Sequence, residues 1–276
     1  MPIKNSTTIS IIGCGWLGLP LGRFLVDQDY HVKGSTTRAE KLSTIQSAGI
    51  EPYQIQVEKD LVGENIDAFF QSDIVIVNIP PGRRKPDVET AHPRQIELVV
   101  EKAIEKGVKK LLFISSTGVY GNTGRLVTEE EEPEPTRPSG RALKQVEEYL
   151  RAQSALEVTI LRLAGLVGGD RKAGRFLAGR QNVKNGNAPV NMVHRDDCIQ
   201  VIYRLIQQEK WGEVYNLSAD EHPTKIAFYT AQAKKQGLEP PTFDESPEPK
   251  FKIISNQKVK EALGYELRHP DPMRFP

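Results

Sequence analysis

Cysteine is scarce in this chain of 276 residues: there are two, Cys14 inside a glycine-rich loop and Cys198 in an expected helix. Neither placement suggests a disulfide, which suits a reducing compartment. The five histidines are scattered, and with two distant cysteines they show no metal-ligand spacing, so no metal site is expected. A charge excess is also missing, since 37 Lys plus Arg face 36 Asp plus Glu for a net charge of +1. That balance favours neither nucleic acid nor an anionic membrane as a partner. No apolar run reaches the ~20 residues of a membrane span, and no N-terminal segment reads as a secretory signal. No internal repeat is visible either. A cytoplasmic protein acting on small molecules is the resulting expectation.

What is present begins with Ile11-Ile-Gly13-Cys14-Gly15-Trp16-Leu17-Gly18, a G-x-G-x-x-G loop directly after the apolar run Thr8 to Ile12. A strand, a glycine turn and a helix in this order build a cradle for a pyrophosphate. Gly13 permits the tight turn, Gly15 lets the backbone approach the phosphates, and Gly18 allows close helix–strand packing. The free amides of a helix starting near Trp16 then face the anion. Dinucleotide binding is therefore expected.

Alternation of strands and helices continues. Strands are predicted over residues 30–35, 51–57, 73–79, 108–115 and 158–163, and helices over 39–48, 89–106 and 142–153. The run Asp73 to Ile79 is apolar apart from Asp73 itself and Asn78, typical of a parallel strand buried on both faces, and Pro80-Pro81-Gly82 stops it. The fold class is thus α/β, a doubly wound parallel sheet of Rossmann type with ligands at the carboxyl ends of the strands. The second half changes character. Residues 165–191 are rich in Gly, Arg and Asn, with a short helix near Phe176; residues 196–208 return to helix and 213–217 to strand. Prolines then cluster at Pro240-Pro241 and in Ser246-Pro247-Glu248-Pro249, and a closing helix from Asn256 to Leu263 is capped by Gly264. The expected division is a nucleotide-binding domain over 1–165 and 193–219, with a small substrate domain over 166–192 and 220–276. The acidic run Glu129 to Glu132 reads as a solvated loop.

Asp or Glu at the end of the second strand ordinarily accepts the ribose hydroxyls of NAD. Here that place holds Ser35-Thr36-Thr37-Arg38, with no acid until Glu40. Hydroxyls and a guanidinium suit a ribose 2′-phosphate instead, so NADP is favoured over NAD, unless Arg38 merely begins a helix and points into water. Asp60-Leu61 lies where a side chain reaches the adenine, or where Asp60 caps a helix. Asn78, Ile79 and Pro80 end a central strand and are expected to line the cofactor cleft, the alternative being a plain proline stop.

Ile114-Ser115-Ser116-Thr117-Gly118-Val119-Tyr120-Gly121 follows the fifth strand. Leu161-Arg162-Leu163-Ala164-Gly165-Leu166-Val167-Gly168, then Asn191-Met-Val-His194-Arg-Asp196-Asp197, then Val214-Tyr-Asn216-Leu217 come after it in order. On these four motifs the chain resembles the extended short-chain dehydrogenases/reductases, the NAD(P)-dependent epimerase/dehydratases. The resemblance implies an NADP-binding oxidoreductase or epimerase acting on a sugar or nucleotide-sugar, and a homodimer. It also implies Ser116 as the catalytic serine, helped by Thr117, with Lys144 on the nicotinamide ribose and Leu163 beside the cofactor. Two departures stand out. The glycine loop is one residue shorter than the family's G-x-x-G-x-x-G, and the Y-x-x-x-K pair lacks its tyrosine, because Gly140 stands four positions before Lys144. Loss of one acid–base group costs ~100- to 10,000-fold in rate. A substitute acid has to be Tyr120, a bound water or a residue of the small domain, although packing against the sheet is the plainer role for Tyr120. The eroded pair also resembles the atypical branch of the superfamily, and it leaves open a non-catalytic NADP-binding sensor. A third reading, a hydroxyacid dehydrogenase of the 6-phosphogluconate type, shares the glycine loop and the Thr–Arg strand end but requires an all-helical second domain. His194 and Asp197 are expected to fix the turn into the following helix, and Arg171, Arg175 and Arg180 to hold an anionic substrate group or simply face solvent.

Overall fold

The structure is a computed structural model, and it describes residues 7–82, 86–244 and 249–276. Ser246 to Glu248, in the second proline cluster, lie outside the described residues. The chain begins with β1 (Thr8–Ile12), α1 (Gly18–Val26), β2 (His31–Thr36), α2 (Leu42–Ser47), β3 (Glu51–Val57), β4 (Leu61–Gly63) and α3 (Ile66–Phe70). Then come β5 (Ile74–Val77), α4 (Val88–Glu105), β6 (Lys110–Ser116), β7 (Leu126–Val127), α5 (Pro138–Arg151), β8 (Glu157–Leu163) and β9 (Gly165–Val167). The last part holds β10 (Met192–His194), α6 (Arg195–Gln207), β11 (Val214–Leu217), α7 (Lys225–Lys235), β12 (Ile253–Ile254) and α8 (Gln257–Leu263).

Eight strands form one sheet in the order β11-β8-β6-β5-β1-β2-β3-β4. The pairs β1–β2, β1–β5, β2–β3 and β5–β6 are parallel, and β4 closes one edge antiparallel to β3. From β1 the chain builds outward through β2 and β3, then returns to start the other half at β5. The order therefore reverses between β1 and β5, where ligands bind in open sheets of this kind. The sequence dictates the layering. Ile74, Val75, Ile76 and Val77 are all buried, as a strand covered on both faces requires. Toward the edge, β3 buries only Tyr53, Ile55 and Val57, alternating with exposed residues. On α4, Ile96, Val99, Val100 and Ala103 are fully buried at helical spacing.

Two compact units divide the chain. The first takes residues 1–119, 134–161 and 205–214, and the second takes 120–133, 162–204 and 215–276. Residues 120–133, 162–165, 193–204 and 215–219, expected with the nucleotide-binding part, thus fall in the second unit. Within that unit they are tied by buried polar contacts. The Asn216 amide donates to Glu129 Oε1 at 2.6 Å, so the acidic run is not a wholly solvated loop. Asp197, fully buried on α6, accepts from Tyr265 Oη at 2.7 Å, from the Arg268 amide at 2.7 Å and from the His269 amide at 3.1 Å. Its carboxylate holds the C-terminal segment rather than the entry turn of its own helix. Val167, Val190, Met192, Phe228 and Phe275 supply part of this unit's apolar core. Phe228 comes from α7, a helix the sequence reading did not anticipate; Thr224 caps it by accepting from the Ala227 amide at 3.2 Å.

Element ends also moved. Residues 39–41 form a 3₁₀ turn before the shorter α2. The α5 helix starts at Pro138 instead of Ala142, because proline's fixed φ and missing amide suit a helix's first position. Near Phe176 the expected helix is a 3₁₀ turn, Ala173–Phe176.

One buried group on α4 makes the first unit acid-sensitive. Burial pushes the His92 imidazole from 6.5 down to about 4, with Gln95 offsetting only part of the effect. The folded state thus prefers the neutral ring, and the unfolded chain takes up the proton first. This contribution is complete above pH 6.5, falls by about 1.4 kcal/mol per unit as the pH drops through the window, and ends near pH 4. Urea denaturation of wild type and His92→Leu at pH 7 and pH 4.5 should show a distinctly steeper acid loss in wild type. Equal losses in both proteins contradict the assignment.

Candidate functional site

At the switch point, the glycine loop is held between the ends of β2 and β5. Gly13 has φ +101°, which L side chains rarely adopt. Its amide donates to Ser35 Oγ at 3.1 Å, and the Cys14 amide donates to the Ser35 carbonyl at 2.8 Å. On the other side Asn78 Nδ2 donates to the Gly13 carbonyl at 2.9 Å, and the Asn78 amide donates to Ile12 at 2.9 Å. A Cβ on Gly18 would stand 2.2 Å from the Gly13 carbonyl oxygen, so helix and loop meet main chain to main chain. Gly15 is different: it is exposed, and a Cβ there meets no protein atom within 4 Å. Nothing in the fold needs a glycine at 15, and the space above its backbone is open. The α1 helix starts at Gly18, later than expected, because residues 14–17 are consumed by the turn. Trp16 and Leu17 lie in that turn, and Pro20 fits the first helical turn, where an amide has no intrahelical partner. Burial pushes the Cys14 thiol up to about 12, so it stays protonated.

The end of β2 is less free than its composition suggests. The Ser35 hydroxyl is committed to Gly13, and the Thr36 hydroxyl accepts the Arg38 amide at 3.2 Å. Thr37 and Arg38 are exposed, and among the described residues the Arg38 guanidinium has an acidic neighbour only in Glu40, 3.8 Å away. Asp60 is exposed in the bend before β4 and caps no helix, so that alternative is withdrawn; Leu61 opens β4 itself. Ile79 and Pro80 follow Asn78 beyond the end of β5 at Val77. Leu163 ends β8 and is buried within the second unit, where the next amide, that of Ala164, donates to the Leu217 carbonyl at 3.0 Å.

The turn after β6 separates two serines. Ser115 is buried and donates to Glu147 Oε1 at 2.6 Å, and Arg151 meets the same carboxylate at 3.1 Å. Ser116 accepts the Gly118 amide at 3.1 Å, which leaves its own hydroxyl proton available to donate outward. Thr117 is buried in the 3₁₀ turn Thr117–Val119. Gly140 sits in the first turn of α5. A Cβ there would lie 2.5 Å from the Gly118 carbonyl oxygen and 2.7 Å from Pro135 Cβ. The place where a side chain at 140 would emerge is therefore filled by main chain. Lys144 follows one helical turn later, its Nζ 3.8 Å from Glu148 Oε1.

In the second unit, Tyr120 is buried; its hydroxyl donates to Asn216 Oδ1 at 3.0 Å and accepts from Arg162 Nη1 at 2.5 Å. Arg162 is itself fully buried, with its guanidinium 4.9 Å over the Tyr120 ring. Burial pushes the phenol and the nearby Glu129 carboxyl upward. The phenol of Tyr120 is thus a member of a closed structural network. Arg171, Arg175 and Arg180 are all exposed, Arg171 lying 5.6 Å over the Phe176 ring.

A family model described as NAD(P)H-binding matches residues 13–209, which include the loop, both strand ends and the turn after β6. The chain belongs to the NAD(P)H-binding family. Protein YeeZ of Escherichia coli K12 is 36% identical over 271 residues, covering 97% of this chain and 98% of that protein. Among solved structures, UDP-glucuronic acid 4-epimerase from Bacillus cereus, in complex with UDP-glucuronic acid and NAD, matches with a TM-score of 0.79 at 20% identity over 96% of both chains. A short-chain dehydrogenase/reductase superfamily protein from Agrobacterium tumefaciens, with bound NAD, gives 0.78 at 20% identity over 96% of this chain and 94% of that one. The fold is that of the short-chain dehydrogenases/reductases and epimerases.

For this NAD(P)H-binding chain, Ser35 and the Asn78 side chain are the parts of the site whose roles the sequence reading did not recognise. The only signal for Ser35 was a hydroxyl at the strand end, which reads equally well as a ribose contact. The contrast between Gly15 and Gly18 can be measured. Gly18→Ala should destabilise the protein by about 1–3 kcal/mol, because main chain must shift. Gly15→Val should leave the melting temperature unchanged while weakening nucleotide binding at least tenfold, about 1.4 kcal/mol by calorimetric titration. Equal effects at the two positions refute the assignment of the open space.

Proposed function

We propose that the protein is an NADP-dependent oxidoreductase or epimerase of the cytoplasm, acting on a small molecule with a carbonyl or secondary alcohol, of the sugar or nucleotide-sugar class. The observation that carries the choice of NADP is the end of β2, where Thr37 and Arg38 are exposed and no carboxylate stands ready for a ribose diol. A carboxylate there repels a 2′-phosphate, whereas a guanidinium binds it through paired hydrogen bonds. Glu40 weakly competes, since an exposed ion pair contributes ~0–1 kcal/mol. The sugar class rests on the likeness to a fold seen elsewhere with UDP-glucuronic acid.

The glycine loop suits the pyrophosphate, and Asp60 and Leu61 lie on the β3 side of the sheet for the adenosine. Asn78, Ile79 and Pro80 are the proposed wall of the nicotinamide half. Once bound, the coenzyme gives or takes the hydride. Ser116 donates its free hydroxyl proton to the substrate oxygen, with Thr117 behind it, and Lys144 holds ribose hydroxyls. In this reading Gly140 stands where related enzymes carry their tyrosine, so the proton comes from solvent. Tyr120 is not assigned that task, because its hydroxyl is already bonded to Arg162 and Asn216. Turnover without the phenol is expected to be slow, by ~100- to 10,000-fold against a complete site.

The filled space at Gly140 also favours a second reading, an NADP-binding sensor with no turnover. The two are separated by following nicotinamide absorbance with panels of sugars, aldehydes and ketones; any hydride transfer excludes the sensor. For the cofactor itself, calorimetric titration should show NADP binding more tightly than NAD. Arg38→Ala should cost NADP at least tenfold, about 1.4 kcal/mol, and leave NAD unaffected. No preference, or an equal loss for both nucleotides, overturns the choice of NADP. Gly140→Tyr should destabilise the fold and gain no turnover, whereas a rise in activity refutes the packing argument.

A further inference from the structure

We propose that His194, Asp196 and His269 form a zinc site within the second unit, independent of the nucleotide loop. One ligand atom from each of the three lies within 4.8 Å of the others. His194 Nδ1 is 3.6 Å from Asp196 Oδ2, and His269 Nε2 is 3.9 Å from the same oxygen. Zinc bonds of ~2.0–2.1 Å in a tetrahedral arrangement put neighbouring ligand atoms about 3.4 Å apart, so the two contacts to Asp196 need a few tenths of an ångström and the histidine pair a side-chain adjustment of up to about 1.4 Å.

Three features make this more than a chance meeting of polar side chains. First, the ligands are held in place by the fold. His194 ends β10 and Asp196 lies in the first turn of α6. His269 comes from the C-terminal segment, whose main chain is bound to the buried carboxylate of Asp197 through the Arg268 and His269 amides. Second, the fold uses His194 only lightly. The ring is buried, and its Nδ1 accepts the Asp196 amide at 3.3 Å, a long contact in the turn into α6 that zinc on Nδ1 replaces. Third, the surroundings match a three-ligand site with an open fourth position. The His194 and His269 rings lie 4.0 Å apart, Phe275 packs at 5.5 Å from the first, and the Asp196 side chain is 47% exposed. Phe275 closes one side to water while the carboxylate side stays accessible.

Two imidazoles with one carboxylate select zinc over calcium or magnesium, which take oxygen ligands in larger number. Zinc bound here ties the C-terminal segment to the start of α6. In the sequence only the H-x-D pair at 194 and 196 is adjacent, and the third ligand is 73 residues beyond Asp196, so ligand spacing cannot reveal it.

The test is calorimetric titration of the chelator-treated, full-length protein with zinc sulfate, with and without NADP. One equivalent is expected to bind, with the same affinity in both conditions. Asp196→Asn and His269→Ala, both at partly exposed side chains, should each weaken zinc at least tenfold, and thermal melts without metal confirm that they fold. Zinc should also raise the melting temperature of wild type and not of the variants. An absence of binding, or binding that either variant leaves intact, overturns the proposal. Neither result bears on the cofactor assignment, which rests on the NADP and NAD titrations of Arg38→Ala.

Discussion

Asn78 holds the Gly13 carbonyl across the line where the sheet reverses its order, and the nucleotide-binding end of the first unit depends on that contact. The amide nitrogen reaches the carbonyl at 2.9 Å, while Ser35 grips the Gly13 amide from the other side at 3.1 Å. One residue, Gly13, is thereby held through both of its peptide groups. With the Gly13 carbonyl turned inward, the chain must bend sharply, and φ of +101° follows. The bend then decides where α1 can start and which amides its first turn presents. Such preorganisation matters because an anion bound by backbone groups gains most when those groups need no rearrangement.

Much of this was legible in the sequence, for reasons that differ by element. Buried parallel strands such as β5 announce themselves because both faces exclude polar residues, leaving a pattern that depends on no distant partner. The loop was readable because glycine has few reasons to recur at that spacing after an apolar strand. Ser35 was misread in role because a hydroxyl at a strand end satisfies a protein amide as readily as a ribose, and composition does not say which. Asp60 illustrates the same limit: a carboxylate before an apolar residue suits a helix cap, yet the following residues pair with β3 as an edge strand. The expected helix over 142–153 starts late because Pro138 breaks the helical pattern in sequence, while its ring geometry suits a helix's first position.

The second unit was harder to read because its order comes from long-range polar contacts. Arg162 is fully buried, and its charge is tolerated among Tyr120, Asn216 and the half-buried Glu129 carboxylate. Asp197 binds three donors more than 65 residues away in sequence, which no local pattern can signal. Such groups stabilise little in net terms when complete and destabilise strongly when one member is lost. These bonds fix the C-terminal segment against α6. The proposed zinc ligands sit on that fixed arrangement, so the carboxylate that is not a ligand sets the geometry of those that are.

Gly140 shows how packing and chemistry compete for one position. Its helix turn approaches the Gly118 carbonyl so closely that a Cβ would stand 2.5 Å from that oxygen, with Pro135 at 2.7 Å on another side. A chain that had lost only a tyrosine would leave a hollow that water or a neighbouring side chain fills. Here main chain fills it, and the turn carrying Ser116 rests directly on the helix carrying Lys144. Placing a phenol at position 140 therefore means moving the turn that carries Ser116. In the proposed reading, a reaction at this site draws its proton from somewhere other than helix α5's first turn.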